Sequence, residues 1–232
     1  MDTRGSQDEP EEPDTVDAST ATEGPDERTR PRGSVVWPLV FLAPLAWAVL
    51  VLFHPMGDES GPFESVRPVV NRWLVVHFGQ LFLTPFLVLA VWRLLDGVSS
   101  TAGTASRCAV VVWAIFFSAY DAVQGIATGL LIRYADGLAA SEQVGITRGL
   151  NYLVRDSRMA GDLSLIGLIA GAAWLTTAIA AAIALHKAGA SKPVVVAACF
   201  ATIVAAHTAP AAVGFVALAV AGILRERERA SR

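Results

Sequence analysis

Five long runs with almost no charge constrain this 232-residue chain more than any other feature. A helix of about 20 apolar residues can cross a hydrocarbon core about 30 Å thick, and the runs reach or approach that length. They predict an all-α fold, a polytopic transmembrane helix bundle of five spans. The spans are placed at about 35–54, 71–94, 107–133, 162–186 and 193–224.

The fifth run is the least regular. It has 32 uncharged residues, which is long for one crossing and short for two. We expect a single tilted or kinked helix, because a long apolar segment adjusts to the bilayer in this way. Pro210 is the expected kink, since proline removes a backbone hydrogen bond inside a helix.

Other residues in the runs predict how the helices are held. Trp37, Trp73 and Trp92 lie at the ends of runs and are expected to anchor the membrane interface. Two small-residue patterns, GIATG (125–129) and GLIAG (167–171), predict close helix packing. The two cysteines lie inside apolar runs, where buried packing thiols are expected.

Composition supports the membrane class. The chain is 53% hydrophobic and only 17% charged, against about 25% charged residues in soluble domains. These values exclude a soluble globular enzyme, a nucleic-acid binder and a secreted disulfide scaffold. The lipid bilayer is the predicted partner, the bacterial plasma membrane is the predicted location, and no nucleic acid or particular protein partner is indicated.

The charge is unevenly distributed along the chain. Residues 1–33 hold ten acidic residues and four arginines, whereas the rest has a small excess of bases. Such an acidic, polar leader cannot bury enough apolar surface to fold, so it is predicted to be disordered. The domain organisation is therefore a disordered tail at 1–33, a bundle at 34–226 and a basic tail at 227–232.

One loop has helical periodicity. In the segment 139–158, Ile146 is followed by apolar residues at positions i+4, i+7 and i+8, which are Leu150, Leu153 and Val154. On a helix these residues share one side, and Arg148 and Arg155 lie on the opposite side. This pattern predicts an amphipathic helix lying in the membrane interface. It is interpreted either as a connector or as a lid over a site between the spans.

With five spans, the base count gives no consistent orientation. Seven bases flank the spans on the side of the leader and ten flank them on the other side, including four at 225–232. The larger number of bases on the side away from the leader favours a cytoplasmic location for that side. The bases nearest the first helix, which often dominates, favour the leader inside.

Asp121 is the sharpest functional signal, because an ionised aspartate at mid-span costs roughly 2.5–3.5 kcal/mol. It shares a stripe of polar and small residues with Gln124 and Gly125, so the stripe is expected to face protein or water. Helix rise places His77 in the same half of the bilayer. The candidates for a ligand or proton pathway are Asp121, His77, Gln80, Gln124 and His207.

Three functions are compatible with this polar cluster. It can belong to a transport or proton-linked component, or it can only pack a membrane scaffold. It can also bind a divalent metal or haem, as in a membrane hydrolase or redox partner. The metal-ligand candidates are His54, His77, Asp121 and Asp162, and a haem could use His77 with His207 despite their difference in depth.

The sequence contains no motif of a catalytic site. It has no nucleotide-binding loop, no Ser-His-Asp arrangement and no dinucleotide fingerprint. No catalytic residue is predicted, and no cofactor is predicted beyond the metal or haem alternative.

The first two runs carry a resemblance. The first ends in His54-Pro55, and the second opens with Trp73 followed four residues later by His77. This pair resembles uncharacterised multi-pass membrane proteins of high-GC, actinobacterial-type bacteria, and the abundance of Arg, Ala and Val suits such a genome. The resemblance covers less than a quarter of the chain. It implies a membrane location with the leader inside and implies no activity.

Overall fold

The computed structural model describes residues 40–55, 61–156, 158, 164–205 and 209–231, all within one compact unit. The regular structure in these ranges is helical, and no strand occurs in them. The prediction of an all-α fold is therefore confirmed for the described part of the chain. The predicted disordered tail at 1–33 lies outside the described residues.

Nine α-helices are described. They are α1 (Leu42–Leu52), α2 (Pro62–Val66), α3 (Val70–Leu94), α4 (Thr101–Tyr120), α5 (Thr128–Ala135), α6 (Ala140–Arg155), α7 (Leu165–Lys187), α8 (Lys192–Phe200) and α9 (Ala209–Ala230). A 3-10 turn at Arg67–Val69 joins α2 to α3, and another at Ala201–Ala205 follows α8. A π-helical turn at Asp121–Ala127 joins α4 to α5. Ser100 and Ser164 cap α4 and α7 by accepting backbone hydrogen bonds through their hydroxyl oxygens.

Three of the described helical segments are long and apolar enough to cross a membrane: Pro62–Leu94, Thr101–Ala135 and Leu165–Lys187. The periphery of the bundle exposes large apolar side chains, including Val75 at 66%, Phe82 at 69% and Ile115 at 61%. Soluble proteins rarely expose such surfaces, whereas lipid covers them in a membrane protein. The fold is therefore that of a helical membrane protein.

Helices α4 and α7 form the centre of the bundle. The Ser106 hydroxyl donates to the Thr177 carbonyl at 2.8 Å, and the Trp113 and Trp174 rings meet edge to face at 4.7 Å. The buried face of α7 is mostly alanine, which allows the two backbones to approach closely. Trp47 from α1 and Phe215 from α9 complete this aromatic core.

The fifth apolar run is two antiparallel helices. The Ser191 amide, at the start of α8, donates to Glu228 Oε1 near the end of α9 at 3.0 Å. Farther from that end, Ala198 and Leu218 line the same small cavity. The prediction of one kinked helix at 193–224 is therefore wrong, and Pro210 lies in the first turn of α9, where proline is tolerated.

The irregular backbone after α8 is tolerated because a neighbouring helix satisfies it. The Trp174 indole N–H donates to the Ala201 carbonyl at 2.8 Å, where α8 changes to the 3-10 turn. Inside a membrane, polar backbone groups outside regular helices need such internal partners. An uncharged run can therefore leave the regular α-helix at Ala201 without a charged residue that marks the change.

The end of α9 packs on the end of α3. Arg229 donates to the carbonyls of Arg93, Leu94 and Asp96, and Glu226 pairs with Arg93 at 2.7 Å. The expected basic tail at 227–232 is thus helical through Ala230. Hydrogen bonding by Ser191, together with Arg225, holds the pKa of Glu228 below its usual range, so this carboxylate stays ionised at neutral pH.

Helix α1 starts at the same end of the bundle. Phe41 and Ala90 pack in one buried cluster, and a Cβ atom added at Gly222 would lie 2.0 Å from Phe41 Cε1. We call this end, where α3 and α9 finish and α1 starts, the Arg93 end. The opposite end, where α1 finishes near Trp73, is the His54 end.

This topology predicts that the turn after α3 and the end of α9 face the same side of the membrane. Cysteines introduced at Ser99 and Ser231 should react with an impermeant maleimide from one side, and a cysteine at Ser141 in α6 from the other. The native Cys108 and Cys199, expected to be buried, are exposed and must first be replaced. Labelling of positions 99 and 231 from opposite sides would refute the antiparallel arrangement of α8 and α9.

Helix α6 covers the His54 end of the bundle. It occupies Ala140–Arg155, inside the predicted amphipathic segment 139–158. Its Leu150 is buried in a cluster with Phe63, Trp73 and Ile132. The apolar side of α6 is therefore in contact with protein, next to the residues that bring Asp121 and His77 together.

The two small-residue patterns differ in how closely a neighbouring residue approaches their glycines. A Cβ atom at Gly129 would lie 2.7 Å from Leu74, so this glycine permits close contact between α3 and α5. Nothing lies within 4 Å of a Cβ atom built at Gly171. The prediction of a packing face is therefore wrong at Gly171, because close approach of α7 to its neighbours relies on its alanines.

Candidate functional site

His77 and Asp121 form a hydrogen-bonded pair inside the bundle. His77 Nδ1 lies 2.6 Å from Asp121 Oδ1, and the two side chains are 6% and 2% exposed. His77 is the eighth residue of α3, and Asp121 is the first residue of the π turn between α4 and α5. Two residues that the sequence placed in one candidate pathway are thus in direct contact.

The π turn brings its backbone against α3. The Trp73 indole N–H donates to the Gly125 carbonyl at 2.7 Å, and the Thr128 hydroxyl donates to the Val123 carbonyl at 3.2 Å. A π turn widens the helix and disturbs its regular hydrogen bonding, and such turns are frequent at functional sites. Trp73 and Thr128 supply side-chain donors to this irregular segment.

Gly125 makes room for the histidine ring. A Cβ atom at this position would lie only 2.1 Å from His77 Nδ1 and 2.3 Å from its Cγ. Atoms cannot approach so closely, so only glycine leaves the ring in its present place. The pair therefore depends on the bare backbone one turn after Asp121.

Aromatic rings enclose the other side of His77. The Trp73 ring centroid lies 4.5 Å from that of His77, and the His54 centroid lies 5.0 Å away in an edge-on arrangement. His54 and Trp73 are also in contact, at 5.3 Å. The His77 imidazole is thus fixed between Gly125, Trp73 and His54.

The pair determines which ring nitrogen of His77 is available. When Asp121 is ionised it can only accept hydrogen bonds, so the proton then lies on Nδ1 and Nε2 keeps a lone pair, whereas a protonated Asp121 reverses these roles. Nε2 is buried and has no hydrogen-bond partner among the described residues, and the same holds for Gln124 Oε1. Such a nitrogen can accept a proton or bind a metal ion.

The remaining candidates are placed as follows. Gln80 is buried on α3 three residues after His77, and Gln124 is half-buried in the π turn. His207 and Asp162 lie outside the described residues. Within the described ranges, no group of three or more His, Cys, Asp or Glu side chains could hold a metal ion.

Trp73 is the site residue that sequence reasoning missed. Its place at the end of a run suggested an interfacial anchor, but it is only 7% exposed and contacts both histidines. Trp92, at the other end of α3, is 47% exposed. The spacing of four residues between Trp73 and His77, which puts both on one side of a helix, was the available signal.

Comparison with protein-family models, curated proteins and solved structures finds no match to the chain.

Proposed function

We propose that this chain is a multi-pass protein of the bacterial plasma membrane whose His77–Asp121 pair takes up and releases a proton, as part of a transport or other proton-linked activity. The observation that carries the proposal is the 2.6 Å contact between the two side chains in the buried centre of two membrane-length helices. Ionisable residues at such positions are costly and most often serve function.

The chemistry of the pair favours proton transfer over packing. Hydrogen bonds between neutral side chains pack membrane helices at about 0.6–2 kcal/mol each, without any buried carboxylate. A histidine paired with a carboxylate adds a titratable group to such a contact, because the imidazole can take up a proton at Nε2 while Nδ1 stays bonded to Asp121. Loss of the same proton from Nε2 restores the neutral pair, so the site can be loaded and emptied repeatedly.

The arrangement of the helix ends supports an orientation. Because α9 ends beside Arg93, the arginines at 225–232 belong to the same side as the start of α1. The base count then becomes eleven on that side and six on the other. The positive-inside rule and the first helix now agree, and both favour the Arg93 end facing the cytoplasm. We propose this orientation with an even number of crossings in place of five.

A liposome experiment tests the function. Purified protein is reconstituted with an internal pH dye, and a potassium gradient with valinomycin drives protons inward. We expect wild-type protein to change the internal pH, and the Asp121→Asn and His77→Gln variants to remove the change, since each lacks one titratable group of the pair. His186→Gln is the matched control, because His186 is exposed at the end of α7.

Two outcomes of this experiment contradict the proposal. One is a wild-type response no larger than that of protein-free liposomes. The other is an equal response from wild type and Asp121→Asn, which would leave the pair with the packing role of a membrane scaffold.

A metal or haem site is the second candidate, and one observation favours it. A metal-binding histidine usually donates its other ring N–H to a carboxylate, as His77 Nδ1 can to Asp121. The buried Nε2 would then be the ligand atom, with His54 as the nearest second imidazole. Metal analysis and an absorbance spectrum of the purified protein test this, and a stoichiometric signal lost in His77→Gln would support it.

A further inference from the structure

We infer that Trp73 is the positioning residue of the His77–Asp121 pair, holding both of its members in place from one side chain. This inference rests on the proposed function, because it concerns how the same pair is kept ready for proton transfer. Trp73 touches His77 through its ring and the Asp121 helix through its N–H.

The first contact fixes the histidine ring. Trp73 precedes His77 by one helical turn of α3, and the two ring centroids are 4.5 Å apart. The ring cannot turn toward the π segment, because the Gly125 backbone already lies against it. Rotation of the imidazole about its side-chain bonds is therefore restricted on both faces, which keeps Nδ1 directed at Asp121.

The second contact fixes the carboxylate. The Trp73 N–H is bonded to the carbonyl of Gly125, one turn along the π segment from Asp121. The backbone hydrogen bonding of this segment is irregular, so a buried donor from α3 holds it at a set distance from that helix. Without this bond, the segment that contains Asp121 has one hydrogen bond fewer to α3, the helix that contains His77.

The bundle contains a matched control for this role. Trp174 donates its indole N–H to the Ala201 carbonyl at 2.8 Å, at another irregular point of a helix. Both tryptophans are buried, and both lose one indole–carbonyl bond when changed to phenylalanine. Trp174 has its ring contacts with Trp113 and Phe215, in a part of the core separate from the pair.

The experiment reads the protonation form of His77 directly. Protein with ¹⁵N-labelled histidine is placed in lipid nanodiscs, and the ¹⁵N shifts distinguish Nδ1–H from Nε2–H imidazole. His77→Gln identifies the His77 signals among the four histidines. We expect the Nδ1–H form in wild type and in Trp174→Phe, and a mixture of both forms in Trp73→Phe. Proton flux in liposomes should fall about tenfold in Trp73→Phe, as for other residues that orient a functional histidine.

A second variant covers the case in which Trp73→Phe does not fold. Benzothienylalanine at position 73 keeps the two fused rings and lacks the N–H, so it removes only the bond to Gly125. An unchanged Nδ1–H form in both variants at position 73, or an equal change in Trp174→Phe, would overturn the inference. If wild-type protein carries no protons while substitution at 73 still shifts the His77 form, the proposed function fails and the positioning role stands.

Discussion

Replacing Asp121 with leucine is expected to destabilise the protein by about 3 kcal/mol. Leucine leaves His77 Nδ1 buried without its partner, which costs about 1–3 kcal/mol, and a branched apolar side chain overfills a site built for a carboxylate. Asparagine should cost less than half as much, because its amide oxygen can accept the same hydrogen bond. Reversible unfolding in detergent, compared across the three proteins, measures the difference.

The asparagine variant separates stability from function. It should fold and insert like wild type while losing the proton response, since the titratable group is gone. Thr176→Leu is a suitable control for the added leucine volume, because Thr176 is exposed on α7 and its hydroxyl bonds only within its own helix. A leucine variant at 121 more stable than wild type would disprove the inward, paired placement of this residue.

Replacing Gly125 with alanine is expected to destabilise the protein by about 1–3 kcal/mol and to separate the pair. The added Cβ would meet His77 at 2.1 Å, and the ring has no free space to move into between Trp73 and His54. Overfilling a packed interior costs energy of this order. Unfolding measurements give the destabilisation, and the His77 ¹⁵N spectrum reports the loss of its contact with Asp121.

Gly171→Ala is the matched control for this substitution. Both glycines lie inside helical segments and belong to small-residue patterns of the same spacing, but no atom lies within 4 Å of a Cβ at Gly171. Alanine there should be neutral or should stabilise by up to about 1 kcal/mol, the gain in helix propensity. Equal effects of the two substitutions would show that the cost at Gly125 arises from the helix and not from the contact with His77.

The sequence predicts the helices well because hydropathy and length determine them. The run opening at Trp73 corresponds to α3, and the two following runs correspond to α4–α5 and α7, although the ends differ by several residues. The polar stripe around Asp121 also indicates an inward face, since lipid would oppose it. The shared bilayer depth of Asp121 and His77 also predicts that these two residues lie near each other. The other contacts of the site, such as the Trp73 bond to Gly125, depend on how helices distant in sequence pack together.

The division of the fifth run shows the limit most clearly. A soluble protein changes direction in a polar loop, which a hydropathy profile reveals. Here α8 ends at Phe200 without any charged residue nearby, and the carbonyl of Ala201 that follows it is satisfied by Trp174, 27 residues earlier in the chain. The excess length of the run and Pro210 were signals in the sequence, and they indicated a kink because a single helix is the simpler interpretation.

The π turn at Asp121–Ala127 has a consequence for the insertions and deletions that the chain can accept. A π turn holds an extra residue relative to an α-helix, so removing one residue there would restore regular α-helical hydrogen bonding and leave the two flanking halves close to their present orientation. The widened backbone that places Gly125 against Trp73 and His77 would be lost. A one-residue deletion within 121–127 should therefore preserve the fold and disrupt the pair, whereas a deletion in the regular part of α4 rotates the rest of the helix by about 100°.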